Sequence, residues 1–396
     1  MKLKMDNNLL GKYLVILIAF SLSLPNFYFS LFFISFTIIS ISQLFNCFKT
    51  KTSMFVIILL LHFLVLLLGL LNTKIYNISF GIKDILIRIP LILFPIMISK
   101  IKLKSINTIL FSFSLGIIFG VIICLINVQT TPGVYGQIKQ IYISNWYWNS
   151  RLVEPIDKHP TYFALYNIFS IFIVIRLILR KWGGMYRLFY LIPIGLLNFA
   201  VILTLESRMA LFSLPIGLLI YFIYKINDKK IIALIVMSFI GIGFTYFLYH
   251  PAKLYNIRIL KLNEDIGIRS NIYKSSFNLL KHNYIIGVGT GDVQESLNYQ
   301  YRYDNFNLGL KKSLNSHNQY LEETLRNGII GLLSFLFMIL FPLYIALKNK
   351  NSFFITLFFF FLVFMLSECI LNRQQGVSFV SLFLSLFILR LKKDNK

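Results

Sequence analysis

Long apolar runs, repeated along nearly the whole chain, constrain this sequence more than any other feature. Each run has roughly 16–22 residues, about the length that crosses a ~30 Å hydrocarbon layer as a helix. A helix satisfies the backbone polar groups of a single segment in lipid, where water is absent. With 57% hydrophobic residues and a mean hydropathy of +0.73, the composition excludes an ordinary soluble domain. The sequence therefore predicts an all-α polytopic membrane protein.

We interpret residues 1–396 as one membrane domain with about twelve transmembrane helices. The first apolar run lacks a small-residue cleavage site, so we interpret it as a retained span rather than a signal peptide. Pro90 and Pro95 interrupt the fourth span and predict a kink or a partly re-entrant segment. The predicted spans are 9–24, 27–46, 54–72, 84–99, 105–127, 160–179, 188–205, 209–224, 231–249, 329–347, 352–371 and 376–391.

The basic residues orient these spans. The formal net charge is +24, and Lys and Arg cluster in alternate connections, at 2–12, 49–51, 100–104, 180–187, 225–230, 348–350 and 390–396. Short connections rich in Lys and Arg stay in the cytoplasm, so both termini are predicted to be cytoplasmic. The basic excess then follows from topology and contact with membrane lipid, and a nucleic-acid partner is not expected.

The hydrophilic insert 250–328, between the ninth and tenth spans, is predicted to be a large external loop containing short helices. Apolar residues at helical spacing predict an amphipathic helix on the membrane surface over Ile272–Asn283, at positions 272, 277, 279 and 280. Gly287–Gly291 lacks the Lys-Ser/Thr pair of a phosphate loop and is interpreted as a turn. A second helix is predicted from Asn318 to Arg326, with Ser316 as its N-cap.

Two arginines near the external side are candidate anion ligands. Arg208 follows Glu206 at the outer end of an apolar segment. It could pair with Glu206, extend to the interface, or clamp a phosphate, which guanidinium geometry suits. Arg269, just before the predicted surface helix, could be an exposed loop residue, a partner of Asp265, or a second phosphate ligand.

Three further residues are candidates on weaker grounds. Arg88, in the proline-interrupted span, could pair with Asp84 at i,i+4 spacing or bind an anion. His317 could be polar surface or a general base, because a histidine can accept a proton near neutral pH. His159, before Pro160, could start a helix or contact substrate.

The sequence implies no metal and no cofactor. The acidic residues of the external regions form no Asp-x-Asp motif, and no His/Cys/Asp cluster has ligand spacing. The three cysteines lie in apolar segments and indicate no redox compartment.

Taken together, the motifs resemble those of the O-antigen ligase and O-antigen polymerase superfamily of bacterial membrane glycosyltransferases. The matching features are Ser207-Arg208 after an apolar span, Arg269 followed by an aromatic-containing helix, Gly287-x-Gly289, and His317-Asn318-x-x-Leu321-Glu322 with Gly328 and Gly331 beyond. The likeness covers most of the chain and is strongest over 205–331.

The resemblance implies a C-type glycosyltransferase fold in the bacterial inner membrane, with the active site on the periplasmic face. Members take a glycan from undecaprenyl diphosphate and pass it to an acceptor hydroxyl. In that comparison His317 corresponds to the proposed catalytic histidine, and Arg208 and Arg269 to the diphosphate-binding arginines. Arg88, His159 and Glu322 are additional candidate substrate contacts. The expected reaction inverts the anomeric centre and needs no metal.

The acceptor decides among the activities of the superfamily. A ligase of lipopolysaccharide biosynthesis uses a lipid A–core sugar, a polymerase uses another lipid-linked glycan, and related oligosaccharyltransferases use a protein hydroxyl. We expect the ligase reaction and keep an O-antigen or exopolysaccharide polymerase as the alternative. A polysaccharide-lipid flippase, the alternative of another class, would show a pseudo-repeat and polar residues at the membrane midplane.

Overall fold

The computed structural model describes residues 7–47, 54–98, 101, 105–130, 150–184, 186–205, 207–225 and 259–394. Regular secondary structure in these residues is helical, which confirms the predicted all-α class for this part of the chain. The α-helices are α1 Asn7–Ser21, α2 Asn26–Cys47, α3 Met54–Leu68, α4 Ile78–Arg88, α5 Pro90–Ile98, α6 Asn107–Thr130, α7 Ser150–Val153, α8 Pro160–Leu179, α9 Arg187–Thr204, α10 Arg208–Ile223, α11 Ile259–Leu280, α12 Val293–Tyr303, α13 Asn307–Lys312, α14 Gln319–Lys348, α15 Ser352–Met365 and α16 Gln374–Asp394.

Several of these helices have the length and apolarity to cross a membrane. Within the described ranges, four qualify by both criteria: Asn107–Asn127, Pro160–Leu179, Arg187–Thr204 and Gln319–Lys348. Shorter apolar helices lie at Leu9–Ser21, Asn26–Ser40, Met54–Leu68, Arg208–Ile223, Ser352–Met365 and Gln374–Ile388. The predicted ninth span, 231–249, lies outside the described residues, and the total of twelve spans stays a prediction.

The chain divides into two compact units. The first consists of Met1–Val56, Pro90–Leu214 and Arg373–Lys396. In it α6 packs against α1, α8 and α9, while α5 packs against α16. Aromatic rings fill the space between α6, α8 and α16: Phe169 and Phe383 have centroids 4.5 Å apart, and Tyr166 and Phe379 are 4.8 Å apart. These rings bury large apolar areas in edge and tilted arrangements that aromatic pairs favour.

The second unit consists of Ile57–Ile89 and Pro215–Asn372. Its insert helices have a hydrophobic core of their own, built from Ile272, Leu280, Val293, Leu297, Tyr301, Leu321 and Leu325. The predicted amphipathic helix, 272–283, is longer than expected, because α11 begins at Ile259. Ile272 and Leu280 pack inside the protein, so the prediction that they face the membrane surface is wrong. Of that apolar set, Phe277 is exposed.

The helical backbone is interrupted at the proline that begins α5 and at a glycine within α14. The predicted interruption of the fourth span is confirmed, because α4 ends at Arg88 and α5 begins with Pro90. Proline suits the first turn of a helix and disfavours helical continuation from the residue before it. In α14 the helix is kinked at Asn327 and Gly328, and Gly328 has φ 61° and ψ −154°. That conformation is essentially restricted to glycine.

The N-cap of α14 lies two residues after the predicted one, and the helix begins at Gln319 rather than Asn318. Asn318, not Ser316, is the N-cap, and its side-chain oxygen accepts a hydrogen bond from the N–H of Leu321. Asparagine and serine are comparable caps, so the sequence alone did not separate them. The Ser316 hydroxyl instead donates to the carboxylate of Glu322.

Candidate functional site

Two buried arginines in the second unit join α4 to α14. The Arg88 side chain is fully buried, and its Nη2 lies 3.2 Å from Oε1 of Glu323. Nη2 of Arg326 lies 2.7 Å from Oδ2 of Asp84, and Nη1 of Arg326 lies 3.1 Å from the same Glu323 oxygen. The predicted i,i+4 pair between Arg88 and Asp84 exists but is longer, at 3.8 Å. The carboxylate of Glu323 is therefore shared by both guanidinium groups.

The same network holds the segment that follows α15. Nε of Arg88 donates to the carbonyl of Leu371, and the Asn372 amide donates to Oε1 of Glu322 over 2.7 Å. Gln319 bridges the two parts, because its amide nitrogen donates to Glu323 and its oxygen accepts from the N–H of Leu371. Residues 371 and 372 are thus bound to both α4 and the first turns of α14.

Burial makes this pairing necessary. An isolated charge inside a protein or a membrane costs several kcal/mol, and removing one partner of a buried pair strands the other. Here each of the two guanidinium groups has carboxylate partners among Asp84, Glu322 and Glu323. These contacts hold the first turns of α14 and residues 371 and 372 against α4.

His317 lies beside this network, next to an acidic residue. Its Nδ1 is 3.6 Å from Oε2 of Glu368, and both side chains are partly exposed, at 28% and 13%. His317 has φ 46°, an uncommon value for a residue other than glycine. The Asn315 side chain accepts a hydrogen bond from the His317 N–H. His317 thus lies in the turn before α14, and its ring is not part of the helix surface.

Arg269 reaches the same segment from α11. Its Nη1 donates to the carbonyl of Ser367 over 3.2 Å, and the hydroxyl of Tyr273, one turn further along, donates to the carbonyl of Leu366. Ser367 and Glu368 are neighbours in the chain, so Arg269 and His317 converge on one short stretch between α15 and α16. The predicted alternative that Arg269 sits in a loop is wrong, because it lies within α11.

The candidates in the first unit occupy helix starts. Arg208 is an exposed residue at the beginning of α10. Glu206, its predicted ion-pair partner, lies outside the described residues. His159 is the N-cap of α8 in an extended conformation, and its N–H donates to Oε1 of Gln375. Its ring meets that of Tyr162 edge-on. The prediction that His159 starts a helix is confirmed.

Lys158 is a buried base that the sequence analysis did not single out. Its Nζ donates to Oδ1 of Asn26 over 2.7 Å, and Asn26 in turn donates to Asp157. Burial lowers the pKa of Lys158 to about 7, and the Asp157 carboxylate opposes that shift. These contacts fasten the segment before α8 to the start of α2.

Sequence reasoning missed several charged residues of the second unit. Arg326 lies three and four positions after Glu323 and Glu322, a helical spacing that places it beside both carboxylates. Glu368 is an acidic residue inside an otherwise apolar predicted span, and such residues are usually functional or paired. Both signals were present in the sequence. Within the described residues, no group of three or more His, Cys, Asp or Glu side chains could hold a metal ion.

The arrangement brings four of the candidate residues, Arg88, Arg269, His317 and Glu322, into the second unit around residues 366–372. Comparison with known protein families shows what part of this region resembles. Residues 192–336 match the family model described as O-antigen ligase. This segment, less than half of the chain, is similar to the O-antigen ligase family. It contains Arg208, Arg269, His317 and Glu322, while Arg88, His159 and Glu368 lie outside its bounds.

A bacterial relative shares part of this sequence. An uncharacterized protein of Haemophilus influenzae is 30% identical over 152 residues, which covers 34% of this chain and 37% of the relative. The match thus spans little more than a third of the relative's length. The chain thus combines a segment similar to the O-antigen ligase family with helices that are long and apolar enough to cross a membrane.

Proposed function

We propose that this protein is an O-antigen ligase-like glycosyltransferase of the bacterial inner membrane. It would transfer a glycan from undecaprenyl diphosphate to an acceptor hydroxyl of lipid A–core on the periplasmic face. The observation that carries the proposal is the placement of His317 beside Glu368 within a stretch that Arg269 also contacts. The match of residues 192–336 to the O-antigen ligase family supports the same reaction class.

In this proposal His317 is the general base. It removes the proton of the acceptor hydroxyl as that oxygen attacks the anomeric carbon from the face opposite the diphosphate. The Glu368 carboxylate lies 3.6 Å from Nδ1, close enough to stabilise the imidazolium that forms when Nε2 takes the proton. One such displacement inverts the anomeric centre and needs no covalent intermediate.

Arg208 and Arg269 are proposed to bind the diphosphate. A lipid diphosphate is already a good leaving group, so the main requirement is to stabilise the charge that develops as its bond to the sugar breaks. Guanidinium groups supply fixed donors of matching geometry for phosphate oxygens. We propose that they do so without a metal, because the external acidic residues lack a metal-binding pattern.

Arg88 and Glu322 are proposed to act through the protein rather than on the substrate. Both side chains are buried, and their partners are Glu323, Arg326, Ser316 and Asn372. Because Glu322 lies one turn into the helix that follows His317, its contacts fix the position of that residue. His159 stays a candidate substrate contact of the first unit.

A deletion strain distinguishes the ligase from the polymerase. Loss of a ligase leaves bare lipid A–core on a gel together with full-length polymer on the lipid carrier. Loss of a polymerase instead leaves a single repeat attached to the core. The first pattern is the expected result, and the second would assign the chain to the polymerase branch.

A release assay distinguishes the enzyme from a transporter. The purified chain in liposomes receives radiolabelled glycan on undecaprenyl diphosphate together with lipid A–core acceptor. We expect label to move to the acceptor and free undecaprenyl diphosphate to appear. Movement of the intact labelled lipid between leaflets, with no glycan released, would contradict the proposal and indicate a flippase.

A further inference from the structure

The turn after α11 exposes three consecutive large apolar residues. Tyr284, Ile285 and Ile286 are 61%, 51% and 62% exposed. Single exposed apolar residues are ordinary, whereas a contiguous group of large ones marks a surface that binds something. Lys281 and His282, just before them, are also exposed and polar. The turn therefore has an apolar tip, residues 284–286, which follows the basic residues Lys281 and His282.

Hydrogen bonds fix this turn to α14 and to the turn that follows α3. The N–H of Ile329 donates to the carbonyl of Tyr284 over 2.8 Å, at the kink of α14. The Asn72 side chain, just beyond α3, donates to the carbonyl of Gly287 over 3.0 Å. A side chain at Gly328 would also collide with the carbonyl of Ile285. The apolar tip is thus held against the end of α3 and the start of the apolar part of α14.

The tip continues an exposed apolar surface of both helices. On α14, exposed residues recur every three or four positions along one face: Ile330, Leu333, Phe337, Leu340 and Tyr344. At the end of α3 and in the chain just after it, Leu68, Leu71 and Ile75 are 54%, 85% and 88% exposed. Exposed apolar residues on helices of a membrane protein face lipid chains. The turn lies where this lipid-facing surface begins.

We propose that Tyr284, Ile285 and Ile286 insert into the bilayer at the boundary between headgroups and acyl chains. The partner is phospholipid. Isoleucines enter the hydrocarbon edge, the tyrosine hydroxyl stays at headgroup level, and Lys281 meets lipid phosphates. The bilayer then holds the α11 end of the insert at the membrane surface. This inference does not depend on the glycan-transfer chemistry.

Spin labelling of the full chain in nanodiscs tests the insertion. The background carries Cys47→Ser, because Cys124 and Cys369 are buried and poorly available to a label. Ile285→Cys carries the label, and Lys312→Cys, an exposed site on α13 of the same unit, is the matched control. Collision rates with oxygen, which concentrates in lipid, are compared with those of a water-soluble nickel chelate.

We expect the label at 285 to collide more with oxygen and several-fold less with the nickel chelate than the label at 312. Equal nickel accessibility at both sites would place the turn in water and overturn the proposal. Protection from both reagents would show that protein, such as a second copy of the chain, covers the turn, and would also overturn it. Ile286→Cys gives a second reading of the same tip if the first variant folds poorly.

Discussion

The carboxylate of Glu368 lies 3.6 Å from Nδ1 of His317, and we propose that it stabilises the protonated ring during transfer. We predict that Glu368→Gln lowers the turnover of glycan transfer about 10²-fold, at the lower end of what general-base catalysis contributes. The amide keeps the size of the side chain but no longer stabilises the imidazolium. Initial rates with the reconstituted protein measure the effect.

Glu295→Gln is the matched control for this change. Glu295 belongs to the same unit, is about half exposed, and pairs with Lys74 at 3.8 Å. Its turnover is expected to match that of the unmodified protein. A Glu368→Gln variant as active as this control would show that the carboxylate does not support His317.

A second prediction for a single residue concerns Arg326. Its buried guanidinium pairs with Asp84, Glu323 and Glu322. Arg326→Met leaves these carboxylates short of positive charge, so we expect a loss of about 3–5 kcal/mol of stability. Thermal unfolding in detergent micelles, read as a lower Tm, measures it.

Lys74→Met is the comparison, because the Lys74 side chain is 55% exposed and its ion pair with Glu295 is long, at 3.8 Å. Exposed pairs contribute about 0–1 kcal/mol, so its Tm should change little. Equal Tm values for the two variants would mean that the buried network adds no stability.

The partners of Arg88 show where residue-level prediction from sequence ends. The i,i+4 spacing correctly indicated Asp84, because neighbours on one helix are determined by helical geometry. The shorter pair joins Arg88 to Glu323, which comes from another helix far along the chain. No local pattern specifies such a pair, since it depends on how α4 and α14 pack.

At the scale of elements, the kink in α14 depends on Gly328. Its φ of 61° and ψ of −154° suit only glycine, and an added Cβ would collide with the carbonyl of Ile285. We predict that Gly328→Ala lowers stability by about 1–3 kcal/mol. Thermal unfolding and limited proteolysis of the insert report the change.

Gly267→Ala is the matched control, because Gly267 lies within α11 and an added Cβ meets nothing within 4 Å. Alanine should stabilise that helix by about 0.5–1 kcal/mol. A Gly328→Ala variant as stable as the Gly267→Ala variant would contradict the strained kink.

The apolar helices were more predictable than the helices of the insert. The predicted span 160–179 coincides with α8, because a long apolar run must be helical in lipid and Pro160 marks its start. Helices α12 and α13 were not predicted. Their sequences are mostly polar. Three apolar residues of α12 pack in the core, Val293, Leu297 and Tyr301, but this is apparent only once α11 and α14 are in place.

At the scale of the whole molecule, the basic connections predict which side of the membrane each loop occupies. In a Cys47→Ser background, we predict that Lys312→Cys reacts with a membrane-impermeant maleimide in intact spheroplasts. Lys350→Cys should react only after permeabilisation. Both positions are exposed lysines, so the pair differs mainly in predicted sidedness. Labelling of both sites in intact spheroplasts, or the reverse pattern, would contradict the orientation.

The sequence motifs indicated a likeness to the O-antigen ligase family, and residues 192–336, which include Arg208, Arg269 and His317, match its family model. The motifs were not sufficient to indicate Glu368, which lies beyond that region and approaches His317 only through the fold. The division of the described chain into two compact units was likewise not visible in the hydropathy pattern.

The central claim is that His317 acts as the base of a glycan transfer, and reconstituted transfer with His317→Ala tests it most directly. His282→Ala, an exposed histidine of the same unit, is the control. With undecaprenyl-diphosphate-linked glycan and lipid A–core in liposomes, we predict at least ~10²-fold slower transfer for His317→Ala and an unchanged rate for His282→Ala. A His317→Ala variant that is folded and transfers glycan at the rate of the control would contradict the account.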